Sequence, residues 1–230
     1  MTGSNTGVGK ELACILYGAN ASVYIACRDE SKAKTAMEWI RHAHPKSTGA
    51  LSFLPLDLAD LEAVARSAQS FLDKESRLDA LINNAGVMHP PPGSVTKQGH
   101  ELQLGVHNLG PVLLAEMLAP LLAKTAAAEK AVGQRATVRV VWVASLYAEM
   151  GSPDGGVDIN NLGYTKKDES KYTKYSISKA GVFYQGAEYA RRHRAEGIVS
   201  VVSGCYLMRF SLSHDYSWCV YCAPRKLTSG

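Results

Sequence analysis

The sequence predicts an α/β protein built on a parallel sheet. Short apolar segments, partly β-branched, alternate with helical segments of ten to fifteen residues, the pattern of βαβ units. A glycine-rich turn, TGSNTGVG at 2–9, leads straight into the first helical segment. The polar residues Asp57, Asn83, Asn84 and Ser145 all fall at the carboxyl ends of candidate strands, the edge where open parallel sheets bind their ligands.

Taken in order, VGKELACILY (8–17) sets Leu12, Ile15 and Leu16 at helical spacing, and Gly18-Ala19-Asn20 stops that helix. ASVYIAC (21–27) reads as a strand. Residues 30–43 place Ala33, Ala36, Met37 and Ile40 on one helical face, with Asp29 suited to cap them. LSFLPLDL (51–58) is the next strand, and Asp60 suits the N-cap of a helix from 61 to about 73. LDALINNAG (78–86) is a buried strand running into a loop. Helical character then extends over 100–124 despite Gly105, Gly110 and Pro111. TVRVVWVAS (137–145) is a strand ending at a serine; a polar, glycine-rich loop, a helix from about 172 to 195 and the strand IVSVVS (198–203) follow.

Length and composition bound the function. The 230 residues suffice for one domain with a sizeable core, and 46% hydrophobic against 20% charged residues is a globular balance. A formal charge of +4 with no Lys/Arg-rich block argues against a nucleic-acid partner. Arg191, Arg192, His193 and Arg194 read as the solvated end of a helix, where cations suit the dipole. No run of eighteen apolar residues and no signal-peptide pattern is present. Five cysteines, an odd number, two of them in apolar patterned segments, fit reduced thiols in a cytoplasmic protein.

Two constellations carry chemistry. Glycines let backbone N–H groups approach a pyrophosphate, and the following helix offers its N-terminal dipole. Tyr175 and Lys179 stand four residues apart on one helix, hence on one face, where the cation favours tyrosinate over a phenol of ordinary pKa ~10. That pair is a candidate acid/base. Ser145 and Asn83-Asn84-Ala85-Gly86 precede it in order, each just after a strand.

Through TGSNTGVG (2–9), Asp57 of LDL, NNAG (83–86), Ser145 and YSISK (175–179), the chain resembles the short-chain dehydrogenase/reductase family over residues 2 to about 203. ACRDESKAK and LGVHNLGPVLL are most similar to its retinol-dehydrogenase and WW-domain-oxidoreductase branch, including fungal relatives. The resemblance implies a Rossmann-type doubly wound sheet with helices on both faces and NAD(P)-dependent alcohol/carbonyl chemistry on a small, lipophilic substrate. Tyr175 would exchange a proton with the substrate oxygen, Lys179 would assist it and hold the nicotinamide ribose, and Ser145 would hold the substrate oxygen. The resemblance also implies a dinucleotide held by Gly3, Ser4, Asn5, Thr6, Gly7, Val8 and Gly9, by Asp57 and Leu58 at the adenine, and by Asn83, Asn84, Ala85 and Gly86 along the adenosine and ribose. Pairing into a homodimer through the helices over 100–124 and 172–195 is a further implication.

Cofactor choice has a physical basis. An acid at the end of the second strand grips the ribose hydroxyls of NAD, whereas a cation accommodates the phosphate of NADP. Cys27 stands at that place and Arg28 follows, which favours NADP; Asp29 keeps NAD open as the alternative.

Three departures from the family pattern stand out. Its relay asparagine lies three residues ahead of a glycine, and counting back from Gly110 gives His107, with Asn108 next. Either His107 serves the relay, or a local shift brings Asn108 inward, or His107 is packed in the helix. The interval from Ser145 to Tyr175 is long and resembles the inserted loop of the retinol-dehydrogenase-like branch. The ends also depart: only Met1 precedes the glycine turn, so a buried first strand is expected to be missing. Residues 205–230 are expected to form a non-family, poorly ordered tail after a domain at 1–204. That tail holds Cys205, His214, Cys219 and Cys222 at a spacing that matches no metal site, so none is expected. The reading that competes with an active enzyme is a truncated, inactive dinucleotide-binding relative or interaction module.

Overall fold

The computed structural model describes residues 1–133 and 137–205. Its elements alternate as the sequence predicts: α1 (Gly7–Gly18), β1 (Ser22–Cys27), α2 (Glu30–Ala43), β2 (Ala50–Pro55), α3 (Leu61–Leu72) and β3 (Ala80–Asn83). There follow α4 (Leu102–Leu104), a π-helical turn (Gly105–Leu109), α5 (Gly110–Ala131), β4 (Arg139–Ser145), α6 (Tyr147–Met150), α7 (Lys171–His193), a 3₁₀ turn (Arg194–Glu196) and β5 (Val199–Cys205). The expected 205–230 tail and its metal question lie, beyond Cys205, outside the described residues.

All strand pairs are parallel. β1 pairs with β2, and β3-β4-β5 form a second group. Residues 1–3 lie between the groups and bond to both. Thr2 N–H donates to Ile82 O of β3 at 2.9 Å, Gly3 N–H donates to Ala26 O of β1 at 2.8 Å, and Ala26 N–H donates to Met1 O at 3.1 Å. The strand sequence therefore reverses direction of travel across residues 1–3, the switch point beside which such sheets bind ligands.

Two apolar clusters cover the sheet. Ala13, Cys14 and Tyr17 of α1 and Ala33, Met37 and Ile40 of α2 pack on Val23, Ile25 and Cys27 of β1. The larger cluster joins α3, α5 and α7 to the remaining strands, centred on Val64, Leu122, Val140 and Trp142, each fully buried. Local chemistry sets the helix starts. Asp29 accepts from Lys32 N–H at 3.0 Å to cap α2, and Asp60 accepts from Glu62 N–H at 3.0 Å to cap α3. The stretch Leu102–Ala131 contains an eighteen-residue window with the mean hydropathy (1.4) of a membrane span, yet 61% of that window is buried inside the fold. That burial is what a core helix shows.

Candidate active site

The glycine turn is held by side chains as well as by strands. Thr2 Oγ1 accepts from the N–H groups of Asn84 (3.0 Å) and Ala85 (2.9 Å), and Asn84 Nδ2 donates to the carbonyls of Thr2 (3.0 Å) and Gly3 (3.3 Å). The close approach dictates small residues: a Cβ on Gly9 would lie 2.3 Å from Gly3 O and 2.6 Å from Asn84 Nδ2. Gly3 has φ +64°, and a Cβ there would lie 2.8 Å from Ala85 Cα. Thr6 makes no side-chain bond to the start of α1. The first turn thus has no side-chain cap and lies beside the cleft at the dipole's positive end, the arrangement that suits a phosphate.

Beside the turn, β1 ends in Cys27, and Arg28, Asp29 and Lys32 line the same cleft. Burial pushes the Cys27 thiol up, so it is neutral, and its Sγ donates to Asp29 O at 3.4 Å. The Asp29 carboxylate is engaged as the α2 cap, with Lys32 Nζ 3.9 Å away. Asp57 accepts from Ala59 N–H at 2.9 Å.

At the far end, Ser145 closes β4, and its Oγ accepts from Tyr147 N–H at 3.3 Å. Ser170 caps helix α7, its Oγ accepting from Thr173 N–H at 3.1 Å, and this start fixes which face carries Tyr175 and Lys179. Lys179 is buried, 5% exposed, and its Nζ donates to Val143 O at 2.9 Å while standing 5.9 Å from the Tyr175 ring centroid. Edge-on rings surround Tyr175: His107 at 5.7 Å, His89 at 5.9 Å and Tyr147 at 5.9 Å.

The π-helical turn turns two adjacent side chains toward α7. Its widened spacing lets both reach Ser178. His107 Nδ1 lies 2.8 Å from Ser178 Oγ, and His107 Nε2 accepts from Val87 N–H at 2.9 Å. Asn108 Nδ2 donates to Ser178 O at 3.0 Å, and its Oδ1 accepts from Gln185 Nε2 at 3.1 Å.

One cleft of about 830 Å³ connects the two ends. Gly3, Asn5, Thr6, Val8, Gly9 and Arg28 line its turn end; Asp57, Leu58, Asn84, Ala85 and Gly86 line its middle; and His107, Ser145, Tyr175 and Lys179 line its far end. Ser4, Gly7, Asn83 and Asn108 do not line it. Ser4 is fully buried and donates to Met1 O at 2.9 Å, while the buried amide of Asn83 has no partner among the described residues. The cleft also takes in Lys32, Val87, Met88 and Tyr147, which the sequence did not single out. Lys32, one turn after the Asp29 cap, is the one whose place helical spacing could have given.

The family model of the short chain dehydrogenases matches residues 1–157. The chain belongs to the short-chain dehydrogenase family. A short-chain dehydrogenase/reductase of Phomopsis amygdali is 46% identical over 220 residues, which are 95% of this chain and 64% of that protein. One of Emericella nidulans is 45% identical over 217 residues, 94% of this chain and 68% of that protein. The chain thus spans about two thirds of the length of these short-chain dehydrogenase relatives. Among solved structures, an uncharacterized protein of Mycobacterium paratuberculosis is 28% identical with a TM-score of 0.71, covering 92% of this chain and 68% of that one. RhlG of Pseudomonas aeruginosa, solved as an NADP active-site complex, is 26% identical with a TM-score of 0.65, covering 87% and 68%. The family match ends before Tyr175 and Lys179.

Proposed function

We propose that the chain is an NADP-dependent oxidoreductase that interconverts an alcohol and a carbonyl compound, with Tyr175 as acid/base. The observation that carries this reading is the single cleft that joins the glycine turn and Arg28 to Ser145, Tyr175 and Lys179. The residues fit a dinucleotide: the turn admits no Cβ at Gly9, and the start of α1 offers uncapped N–H groups for a pyrophosphate. When bound, the nicotinamide supplies or accepts the hydride.

The protein's own share is a proton and a fixed geometry. In reduction the Tyr175 hydroxyl gives its proton to the carbonyl oxygen; in oxidation its phenolate takes the proton of the alcohol. Lys179, anchored on Val143 O, holds a positive charge beside Tyr175, and Ser145 offers its hydroxyl to the substrate oxygen. For the cofactor's ribose, Arg28 offers a cation while Asp29 is engaged as a helix cap, which supports NADP over NAD. The NADP complex of the Pseudomonas aeruginosa relative supports the same choice. Two buried free thiols, Cys14 and Cys27, suit a reducing compartment such as the cytoplasm. Exposed Phe183 and Tyr184 on α7 suit a homodimer contact.

The test is NADPH consumption by the full 230-residue chain over a panel of aldehydes and ketones, with Tyr175→Phe as the control. Turnover that the variant loses while still binding NADPH supports the reading. Turnover that survives the variant contradicts Tyr175 as the acid, and NADPH binding without turnover of any carbonyl favours the binding-module reading.

A further inference from the structure

His107 is a buried titratable group of the cleft wall that the proposed reaction leaves without a task. It is 3% exposed, sits in the π-helical turn and is packed so tightly under the loop that a Cβ on Gly86 would lie 2.9 Å from its Nε2. Its two ring bonds determine where its proton is. Nε2 accepts the Val87 N–H, so that nitrogen carries no proton. The proton of a neutral ring must then be on Nδ1, where it donates to Ser178 Oγ, and the Ser178 hydroxyl donates onward to Tyr175 O at 2.7 Å. Each donor in this chain meets one acceptor, and the opposite tautomer would set two donors face to face at Nε2. Burial, and next the charge of Lys179, hold the His107 pKa well below its ordinary 6.5, which agrees with a neutral ring.

We propose that His107 is a positioning residue: a neutral imidazole fixed as the Nδ1–H tautomer that ties the Gly86–Val87 loop, on the cofactor side, to the turn of α7 that carries Tyr175. It moves no proton, because its one lone pair and its one N–H are both engaged. The role rests on the reading of Tyr175 as acid/base. What the tie adds is a fixed spacing between the seat of the cofactor and the reacting hydroxyl, the kind of constraint on which proximity effects depend.

Three measurements on the full chain test it. The ¹⁵N shifts of the His107 ring at pH 7 are expected to show a protonated Nδ1 and a bare Nε2; the reverse tautomer or a doubly protonated ring overturns the proposal. This readout needs neither substrate nor turnover, so it stands apart from failure of the oxidoreductase reading. His107→Leu leaves the Val87 N–H unpaired and is expected to weaken NADPH binding and lower kcat roughly tenfold each, with the pH profile unmoved. His107→Gln, which can accept with Oε1 and donate with Nε2, is expected to recover most of both. A loss of kcat with a displaced pH profile and unchanged NADPH binding would mark a proton relay. A fall in melting temperature alone would mark a purely structural ring. Either outcome overturns the proposal.

Discussion

Lys179 Nζ donates to the carbonyl oxygen of Val143 at 2.9 Å, tying the helix of the proposed acid/base to the strand that ends in Ser145. Helix α7 and strand β4 are thereby locked where the three side chains of the proposed reaction must converge. Lys179→Met removes the charge and the tie while keeping the stem. Turnover is expected to fall by about a hundredfold or more, the usual share of assisted proton transfer, with the far-ultraviolet spectrum retained. Initial rates with saturating NADPH check it.

The glycine turn gives a graded prediction. At Gly9 a side chain meets backbone, 2.3 Å from Gly3 O, which cannot move without loosening the bond it accepts from Asn84 Nδ2. Gly7 has φ +54° but open space around its Cβ position, so Gly7→Ala costs only the left-handed backbone penalty of roughly 1–2 kcal/mol. Thermal unfolding is expected to show a deeper fall for Gly9→Ala than for Gly7→Ala. Only Gly9→Ala is expected to abolish the NADPH-induced shift.

The proposed preference for NADP is tested at Arg28. Arg28→Glu puts a carboxylate where the ribose substituent of the cofactor would lie, repelling a phosphate and gripping hydroxyls. The ratio of the NADH to the NADPH dissociation constant is expected to fall at least tenfold, measured by fluorescence titration. An unchanged ratio would remove Arg28 from the cofactor contact.

Acid stability involves a group far from the cleft. Glu129 is almost fully buried and accepts from Thr137 Oγ1 (2.6 Å), Thr137 N–H (3.1 Å) and Arg77 Nη2 (2.9 Å). The Thr137 bonds, and next the Arg77 charge, outweigh burial and hold its pKa below the ordinary 4.5. A depressed carboxylate binds its proton more readily unfolded than folded. Its stabilisation is therefore complete above about pH 4.5 and is lost as pH falls through the lower folded value. Glu129→Gln is expected to flatten that acid limb in denaturant titrations and to lower stability at neutral pH.

Much of this was legible in the residues because it is local. The apolar spacing of 30–43 and the Asp29 and Asp60 caps appear where propensity and capping chemistry place them. Strands 21–27 and 137–145 fall within two residues of β1 and β4. The helix read over 100–124 runs on to Ala131, since its alanine-rich end offers no stop signal before Gly133. The π-helical turn was not legible: it arises from Ser178 and Val87, partners distant in sequence, which draw His107 and Asn108 inward together. The sequence posed these two residues as alternatives. The structure buries both, and brings only His107 to the cleft. Ser4, Gly7 and Asn83 fall outside the cleft because a motif specifies a turn and a strand end without specifying which way each side chain faces. The rings of His89 and Tyr172, 4.5 Å apart beside Tyr175, come from a loop and a helix that no spacing rule connects.

A cleft that holds NADP against Tyr175 has a direct readout in thermal unfolding of the full chain with each of NADPH, NADP⁺, NADH and NAD⁺. A ligand bound only by the folded state must stabilise it, by about 2.7 kcal/mol at a hundred times its dissociation constant. The melting temperature is expected to rise more with NADPH and NADP⁺ than with NADH and NAD⁺, and Gly9→Ala is expected to remove that rise. No rise with any of the four would overturn the cofactor-dependent reading.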